Sequence, residues 1–475
     1  MALRVFNRLT RQAEEFVPLV EGQVRMYVCG PTVYDHAHLG HGKTYVSFDV
    51  INRYLRYTGY TVRYVQNITD VGHLLDSGED RVLKRAGALS LEPMEVVETY
   101  TRSYFEDMDA LGVLRPDISP RATGHVPEQI KMVQGLIEKG HAYVTEEGDV
   151  YFDVTTFPEY GKLSGQRLEE LVGGARVDVG EHKRNPADFA LWRHAEPEHL
   201  MKWDSPWGEG FPGWHIECSA MSMKYLGPHF DIHTGGEDNV FPHHENEIAQ
   251  TEALTGRTFA RYWMHNGMLN LKSEKMSKSL GNMIAIDDFL AAHPGDTMRL
   301  LVLNGSYRSP LTYSEEIVEQ SEQAYHRLLA AKKEAAPGAP GIAPEAARAL
   351  SEAAENTRQK FIESMNDDFN TSGAMAAIFD LVRAINQARS DGATQAQLTP
   401  ALEVFNELTS VLGLELSEKE FIDSKADPFI ALLIRLRADL RAERNWALAD
   451  KVRDELKALG VTIEDGKDGT SWSWG

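Results

Sequence analysis

Apolar positions near the start of the chain first alternate and then recur at helical spacing. Val24, Met26 and Val28 alternate with less apolar neighbours and predict a β-strand. Apolar residues over 45–55 recur at the spacing of an amphipathic helix, and 60–68 is rich in β-branched and aromatic residues, as in strands. Strand, turn, helix and strand make a βαβ unit, so we predict an α/β fold with a Rossmann-like parallel sheet.

The pattern changes twice further along the chain. Residues 125–204 combine a predicted helix, a hairpin and a glycine-rich stretch, which indicates an insertion into the parallel sheet. Helical spacing dominates after the insertion and the remaining sheet segments, and the small, proline-rich stretch 335–344 predicts a linker. The predicted divisions are 1–124 and 205–273 for the two halves of the nucleotide-binding domain, 125–204 for the insertion, 274–334 for a lysine loop and helical region, 335–344 for the linker, 345–427 for a helical bundle and 428–475 for an arginine-rich C-terminal region.

Composition and charge exclude several classes of protein. No run of eighteen apolar residues occurs, so no transmembrane helix and no membrane partner are expected. The polar N-terminal sequence does not resemble a signal peptide, and two cysteines far apart do not make a disulfide framework, so we expect a cytoplasmic protein. The net charge of −22 argues against non-specific binding to nucleic acid, although a local basic groove stays possible.

The turn after the first predicted strand contains candidate ligand-binding residues. It has neither G-x-G-x-x-G nor the P-loop pattern. It does place His38 and His41 at a predicted helix start, where backbone N–H groups attract phosphate, with Gly40 permitting a close approach. The alternative is a polar turn with incidental histidines. Thr69 follows the next strand and is a candidate for substrate contact, while the neighbouring Asp70 would serve equally well as a helix cap.

Four residues form a candidate metal site. Cys29 ends the first strand of the βαβ unit, and Cys218 precedes His243 and Glu247, which are spaced to share one helical face. Pro242 suits the first position of that helix. Thiolate and imidazole together favour zinc, although buried, unliganded thiols are the commoner state of free cysteines. This stretch does not match H-E-x-x-H, so the metalloprotease motif is excluded.

Two motifs resemble the signatures of class I aminoacyl-tRNA synthetases. His38-Leu39-Gly40-His41 is similar to HIGH, with Leu39 in place of the usual isoleucine, and the residues 275–279 read KMSKS. The stretches MYVCGPTVYD, GWHIECSAM, HFDIHTGGEDNVFPHHENEIAQ and EKMSKSLGN resemble the cysteinyl-tRNA synthetase family in particular. The resemblance extends over essentially the whole chain.

This resemblance implies a reaction and a set of site residues. One zinc ion in the amino-acid pocket would select cysteine over serine by its preference for a thiolate, since a difference of one atom gives little selectivity by size. L-cysteine would be activated with ATP and Mg²⁺ to cysteinyl-AMP and transferred to the 3′-terminal ribose of tRNA(Cys). The implied roles are zinc ligands for Cys29, Cys218, His243 and Glu247, catalysis for His38, His41, Lys275 and Lys278, ATP binding for His38, His41, Gly236, Asp238 and Lys278, and substrate contact for Cys29, Thr69 and Trp214.

Some of these assignments have structural alternatives. Trp214 is equally compatible with a core aromatic, and Glu247 with a carboxylate that orients a histidine rather than binding the metal. For His265 the sequence does not distinguish a core histidine from a pocket residue. The resemblance also makes 274–334 the KMSKS loop with a stem-contact region, and 428–475 an anticodon-binding region.

The C-terminal region separates the candidate functions. Its basic residues would contact the tRNA backbone, with tryptophans available for stacking on bases, whereas a run of charge alone is commonly a solvated helix face. The alternative function is a cysteine ligase to a small amine, of the mycothiol type, which has a similar core but lacks this region. A non-catalytic tRNA- or metal-binding relative is a further alternative. We expect a monomer. The basic residues of the C-terminal region are Arg435, Arg437, Arg441, Arg444, Lys451, Arg453 and Lys457, and its tryptophans are Trp446, Trp472 and Trp474.

Overall fold

The computed structural model describes residues 2–75, 79–169, 183–271, 274–275, 283–417, 419–459, 461–466 and 469–474. For 274–275, 419–428, 462, 464–466, 469, 471 and 473–474 it describes the backbone alone, so the candidate side chain of Trp474 lies outside the described part. The chain forms two compact units, Met1–Glu415 and Leu416–Gly475. The predicted linker 335–344 lies within the first unit and contains neither helix nor strand up to Ala343. The predicted division of the chain into domains stays a prediction.

The first half of the chain alternates strands and helices. Its elements are β1 (Arg4–Asn7), β2 (Gln12–Glu15), β3 (Gln23–Val28), α1 (Leu39–Tyr57), β4 (Thr61–Gln66), α2 (Arg81–Leu89), α3 (Pro93–Ala110), α4 (Val126–Glu138), β5 (Ala142–Val144), β6 (Val150–Phe152), β7 (Phe189–His194), β8 (Gly210–Pro212), α5 (Trp214–Leu226) and β9 (Phe230–Gly236).

The second half is mostly helical. Its elements are α6 (Glu245–Thr255), β10 (Ala260–Asn266), β11 (Leu269–Leu271), β12 (Glu274–Lys275), α7 (Ile286–Leu290), α8 (Gly295–Leu303), β13 (Leu311–Tyr313), α9 (Glu315–Ala331), α10 (Pro344–Met365), α11 (Thr371–Ser390), α12 (Gln395–Val411), α13 (Lys419–Ala442), α14 (Trp446–Ala458), β14 (Val461–Gly466) and β15 (Gly469–Trp474).

A four-stranded parallel sheet in the order β10-β9-β3-β4 forms the centre of the first unit. The predicted βαβ unit is confirmed: β3 pairs in parallel with β4, and α1 connects them. Both faces of the sheet are covered, so consecutive strand residues are buried in near-continuous runs, including the polar Asp231 and His233 of β9. The carboxyl ends of the strands meet at one edge, where Val28, Gly236 and Asn266 lie on neighbouring strands.

The helix α1 starts at the histidine turn because His38 caps it. The Nδ1 atom of His38 accepts from the Gly40 N–H at 3.1 Å, and the His38 N–H donates to His41 Nδ1 at 3.2 Å, which makes a capping box. The helix then buries Phe48, Ile51 and Leu55 as one face against the core. The prediction of a helix that starts at the histidine turn is therefore confirmed.

The insertion forms its own sheet. Strands β5 to β8 are antiparallel in the order β5-β6-β7-β8, and α4 packs beside them over a core that includes Val150, Phe152, Leu191 and Trp192. The predicted helix and hairpin of this segment are confirmed. Elsewhere, β12-β11-β13 form a small sheet that carries the backbone of Lys275.

Helices α10, α11 and α12 pack together within the first unit, in agreement with the predicted helical bundle, around buried Phe361, Ile378 and Phe405. The second unit consists of α13, α14 and the antiparallel hairpin β14–β15, with Ile430, Leu456 and Val461 in its core. Among the helices that the structure describes, none has the length and apolar content needed to cross a membrane.

One local expectation concerned Pro242, which was expected to begin the helix that carries His243 and Glu247, and the structure agrees with it. Phe241 is extended, with φ of −140° and ψ of 135°, and a cis bond joins it to Pro242. The helical segment that follows Phe241 runs through Pro242 and His243 and continues directly into α6 at Glu245. His243 Nε2 accordingly reaches the Glu247 carboxylate at 3.1 Å.

Candidate active site

A cavity of about 270 Å³ opens at the carboxyl edge of the parallel sheet. Residues at the ends of β3, β9 and β10 line it, together with the turn before α1. This is the edge at which open α/β sheets bind ligands, because the strand ends and helix starts leave backbone groups unpaired there. The lining includes Cys29, His38, His41, Trp214, Gly236, Asp238, Asn266 and Gly267.

Cys29, Cys218, His243 and Glu247 come together in a buried cluster, and their ligand atoms all lie within 4.8 Å of one another. Glu247 Oε1 is 3.8 Å from Cys29 Sγ and 3.1 Å from His243 Nε2. Ligands of a tetrahedral zinc ion are about 3.3–3.8 Å apart, so these separations need only small adjustments. The four donors therefore fit a zinc ion in both chemistry and spacing.

Burial sets the charge preference of this cluster. It raises the pKa of the Cys29 and Cys218 thiols and of the Glu247 carboxyl, and it lowers the pKa of His243. Without a cation the pocket therefore favours neutral groups, and a divalent cation would stabilise the thiolates and the carboxylate. Both thiols are free of disulfide bonds.

Three further histidines surround the cluster. His233 Nε2 is 2.8 Å from Glu247 Oε2, and His244 Nε2 is 3.2 Å from Cys29 Sγ. His244 is in turn paired with His265, Nδ1 to Nε2, at 2.8 Å. His233 and His244 also form a second possible ligand set with Cys29 and Glu247. Such contacts orient ligand side chains, so Glu247 is both a possible ligand and held by a histidine.

The mouth of the cavity combines stacked imidazoles and an indole. The His38 and His41 rings stack with centroids 3.9 Å apart at the start of α1. Trp214 stacks between two other histidines, at 3.9 Å from His73 and 4.3 Å from His243. The predicted pocket role of Trp214 is thus compatible with its position, since it is half-buried and lines the cavity.

Comparisons with known proteins identify the family to which the chain belongs. The family model for the tRNA synthetases class I (C) catalytic domain matches residues 15–323. A DALR domain matches 360–417, and the cysteinyl-tRNA ligase anticodon binding domain matches 428–472. The cysteine–tRNA ligase of Thermococcus onnurineus is 49% identical over 99% of each chain, and one from Thermus thermophilus is 48% identical over the same shares. The chain belongs to the cysteine–tRNA ligase family.

Solved structures agree with this family in fold. Methionyl-tRNA synthetase of Mycobacterium tuberculosis, in complex with methionyl-adenylate, aligns with a TM-score of 0.59 over 87% of this chain and 94% of that chain, at 16% identity. A leucyl-tRNA synthetase in a ternary complex from Agrobacterium radiobacter K84 aligns with a TM-score of 0.60 over 86% of both chains, at 12% identity. The expected fold class, a Rossmann-like catalytic domain followed by mostly helical domains, is confirmed.

The other predicted site residues of this member of the cysteine–tRNA ligase family differ in whether they line the cavity. Gly236 and Asp238 line the cavity. Thr69 lies behind its wall, 2% exposed, with its backbone paired to Pro31 and Val33. Asp70 accepts from the backbone and hydroxyl of Thr123, which favours the structural alternative for it.

The lysine loop is only partly described. The backbone of Lys275 lies in β12, paired with Asn270 of β11, whereas Lys278 falls outside the described residues.

In the second unit, Trp446 is exposed, whereas Trp472 packs against the hydrophobic core. Trp472 was a candidate for base stacking, and this packing removes much of its ring from solvent.

Sequence reasoning missed several residues that the fold brings to the site. His73 and His215 contact Trp214 and His243, and His233 and His244 surround the metal-type cluster. His215, His233 and His244 lie in stretches already noted for other residues, whereas His73 lies in none, and histidine content alone was the available signal. Lys43, just after the HIGH-like motif, was also missed, because a lysine on a helix is usually solvated.

Proposed function

We propose that the protein attaches L-cysteine to tRNA(Cys) in two ATP-dependent steps. The observation that carries this proposal is the buried set of two thiols, an imidazole and a carboxylate at a cavity whose rim holds the HIGH-like histidine pair. A soft-metal donor set is suited to recognising a thiol substrate, and the histidine rim is suited to a nucleotide. The family of the chain supports the same reaction.

Cys29, Cys218, His243 and Glu247 would hold one zinc ion per chain. When bound, the zinc ion would take the substrate thiol as a thiolate and so discriminate against serine, whose hydroxyl is a far weaker ligand. His233 keeps the Glu247 carboxylate aimed at the cluster, and His244 does the same for the Cys29 thiol. The buried surroundings exclude water from the thiol-binding end of the cavity.

ATP with Mg²⁺ would bind between the histidine rim and the end of β9. The N–H groups at the start of α1 are bonded to His38 and Ile284, so the His38 and His41 side chains and the positive end of the helix dipole would be the groups that hold a phosphate there. Gly236 permits a close approach of the nucleotide, and Asp238 would accept from ribose hydroxyls. Lys275 and Lys278 would complete the charge stabilisation as the substrate carboxylate attacks the α-phosphate.

The second unit would bind the anticodon region of tRNA(Cys). Arg435 is exposed on α13 and Lys451 on α14, and Trp446 is exposed at the start of α14. Basic side chains contact phosphates and exposed aromatic rings stack on unpaired bases. We further propose that the protein acts as a cytoplasmic monomer.

ATP–pyrophosphate exchange tests the proposal directly. We expect exchange with cysteine and little with serine, about one zinc per chain by metal analysis, and charging of tRNA(Cys). Exchange without charging would indicate transfer to a small amine instead. Absence of cysteine-dependent exchange in a zinc-loaded, folded protein would refute the activity, and a non-catalytic binding role would then be favoured.

A further inference from the structure

Lys43 is a buried cation directly behind the candidate active site. Its side chain is on α1, just after His41, and the residue is 2% exposed. The ammonium donates to Asn266 Oδ1 at 3.0 Å, to the Gly267 carbonyl at 2.6 Å and to the Tyr307 carbonyl at 3.1 Å. A lysine ammonium has three N–H donors, so each of them is used by a protein oxygen.

These three oxygens are uncharged, and Lys43 makes no ion pair with any carboxylate that the structure describes. Burial lowers the pKa of Lys43 to about 8, and the charge of Glu237 opposes this effect. A buried ammonium without a counterion costs stability, and an apolar residue would fill the same space at lower cost. Packing alone therefore does not explain why this position is a lysine.

The three acceptors belong to the segments that support the lysine loop. Asn266 ends β10, and Gly267 precedes β11. Tyr307 precedes β13, which pairs in parallel with β11. The strand β11 in turn pairs with β12, which contains Lys275. One ammonium group thus connects α1, the helix that carries His41, to the segments from which β11 and β13 start.

Neighbouring contacts complete this connection. The Gly267 N–H donates to the Tyr307 carbonyl at 2.9 Å, so the two segments are also held to each other. The Asn266 amide donates to Thr44 Oγ1, and the Thr44 hydroxyl donates to the Gly40 carbonyl, each at 3.0 Å. On the other side of the lysine loop, the Leu39 N–H donates to the Ile284 carbonyl at 3.0 Å.

We propose that Lys43 is a positioning residue for the activation step, which fixes the small sheet carrying Lys275 against the helix that carries His41. This inference rests on the proposed function, because it assigns Lys43 a part in the ATP-dependent step. Loss of the three bonds lets the two signature motifs move apart, and displacements of about 1 Å reduce catalysis on the order of 100-fold.

Kinetics of three variants test the inference. Lys43→Met keeps the length and removes all donors, and Lys43→Arg keeps charge and donors. Asn52→Ala, which removes a buried polar side chain further along α1, is the control for general destabilisation. In pyrophosphate exchange, kcat/KM for ATP should fall on the order of 100-fold in Lys43→Met and stay within about tenfold of wild type in Lys43→Arg. Binding of cysteine without ATP should be unchanged in every variant.

Hydrogen exchange of the substrate-free protein gives a readout that does not depend on activity. Amides of 266–271 and 307–313 should exchange faster in Lys43→Met, return towards wild type in Lys43→Arg and stay unchanged in Asn52→Ala. Amides of 344–411 should be unaffected throughout. If Lys43→Met does not fold, Lys43→Gln, which keeps two N–H donors without the charge, takes its place, and the changes are expected in the same direction but smaller.

The two proposals fail in different ways. A wild-type protein that lacks cysteine-dependent exchange would refute the proposed function. An active wild type whose Lys43→Met variant keeps kcat/KM for ATP and the amide exchange of 266–271 would refute the positioning role. Equal losses in Lys43→Met and Asn52→Ala would refute it as well, because they would indicate stability alone.

Discussion

Single residues at the candidate metal site favour their neutral forms as long as no cation is bound. Burial disfavours the thiolates of Cys29 and Cys218 and the ionised form of Glu247, and the same burial disfavours a charged His243. A cluster of this composition has two stable states, one neutral and one bound to a cation. Its function therefore depends on each donor.

Replacing one donor should affect metal and substrate together. For Cys218→Ser we expect zinc affinity to fall at least 10–100-fold and the KM for cysteine to rise, because a hydroxyl is a poor zinc ligand. Metal analysis and pyrophosphate exchange measure both effects. The control is Ser222→Ala on the same helix, where Ser222 is buried and bonded only within the helix. Retained zinc with an unchanged KM for cysteine would show that Cys218 is not a ligand.

The pH dependence of stability should reveal the buried charge of Lys43. Its pKa is about 8 in the folded protein, against about 10.4 in an unfolded chain. Between these values the unfolded state binds more protons, so Lys43 makes the folded state more stable as the pH rises from 8 to 10. The unfolding free energy of wild type relative to Lys43→Met should increase by about 2 kcal/mol over this range.

Denaturant unfolding at pH 7.5 and pH 10 checks this expectation. Comparison with the variant cancels the titration of other groups, since both proteins contain them. The difference between wild type and Asn52→Ala should not change with pH. A constant difference for Lys43→Met would mean that Lys43 is not desolvated in the folded protein.

At the scale of elements, the site depends on how closely the ends of the parallel strands approach each other. Gly30 follows β3, and its N–H donates to Asn67 Oδ1 beyond the end of β4 at 2.8 Å. A Cβ atom on Gly30 would lie 1.6 Å from the Asn67 carbonyl oxygen, so only glycine fits. This contact sets the position of Cys29 at the cavity.

Gly30→Ala should therefore damage both the fold and the site. We expect a loss of about 3 kcal/mol or more in unfolding free energy, because backbone rather than a flexible side chain has to move. Thermal unfolding and the KM for cysteine measure the two effects. The matched control is Gly87→Ala in α2, where a Cβ atom meets nothing within 4 Å and helix propensity predicts a small gain in stability. Equal behaviour of the two variants would contradict the steric argument.

At the scale of the whole molecule, an acidic chain has to bind an acidic partner. The net charge is −22, so any affinity for tRNA depends on local groups of basic residues rather than on the overall field. Arg435 and Lys451 in the second unit are exposed and belong to such a group. The activation chemistry is assigned to the first unit, so binding of tRNA and activation of cysteine are separable by mutation.

Neutralising the C-terminal charges should weaken tRNA binding without affecting activation. For Arg435→Gln with Lys451→Gln we expect the salt dependence of tRNA affinity to fall by about one phosphate contact per residue replaced. Cysteine-dependent pyrophosphate exchange should be unchanged. Arg348→Gln, at an exposed residue of α10 paired with Glu352, is the control. An unchanged salt dependence in the double variant would place the tRNA contact elsewhere.

Much of this protein follows from local patterns in its sequence. The βαβ unit, the helix and hairpin of the insertion and the C-terminal helices are confirmed, because hydrophobic periodicity reflects which side of an element is buried. Cys29, Cys218, His243 and Glu247 were named from residue type and family resemblance, and the fold brings them together. The hydrophobic periodicity of a strand or helix involves residues that are close together in the sequence, so it can be recognised before the fold is known.

Contacts between distant segments were decided by the tertiary structure. The pairing of His233 with Glu247, the approach of Gly30 to Asn67 and the bonds of Lys43 to Gly267 and Tyr307 join residues from different elements. No local pattern records such contacts, because each residue alone is compatible with a common structural role.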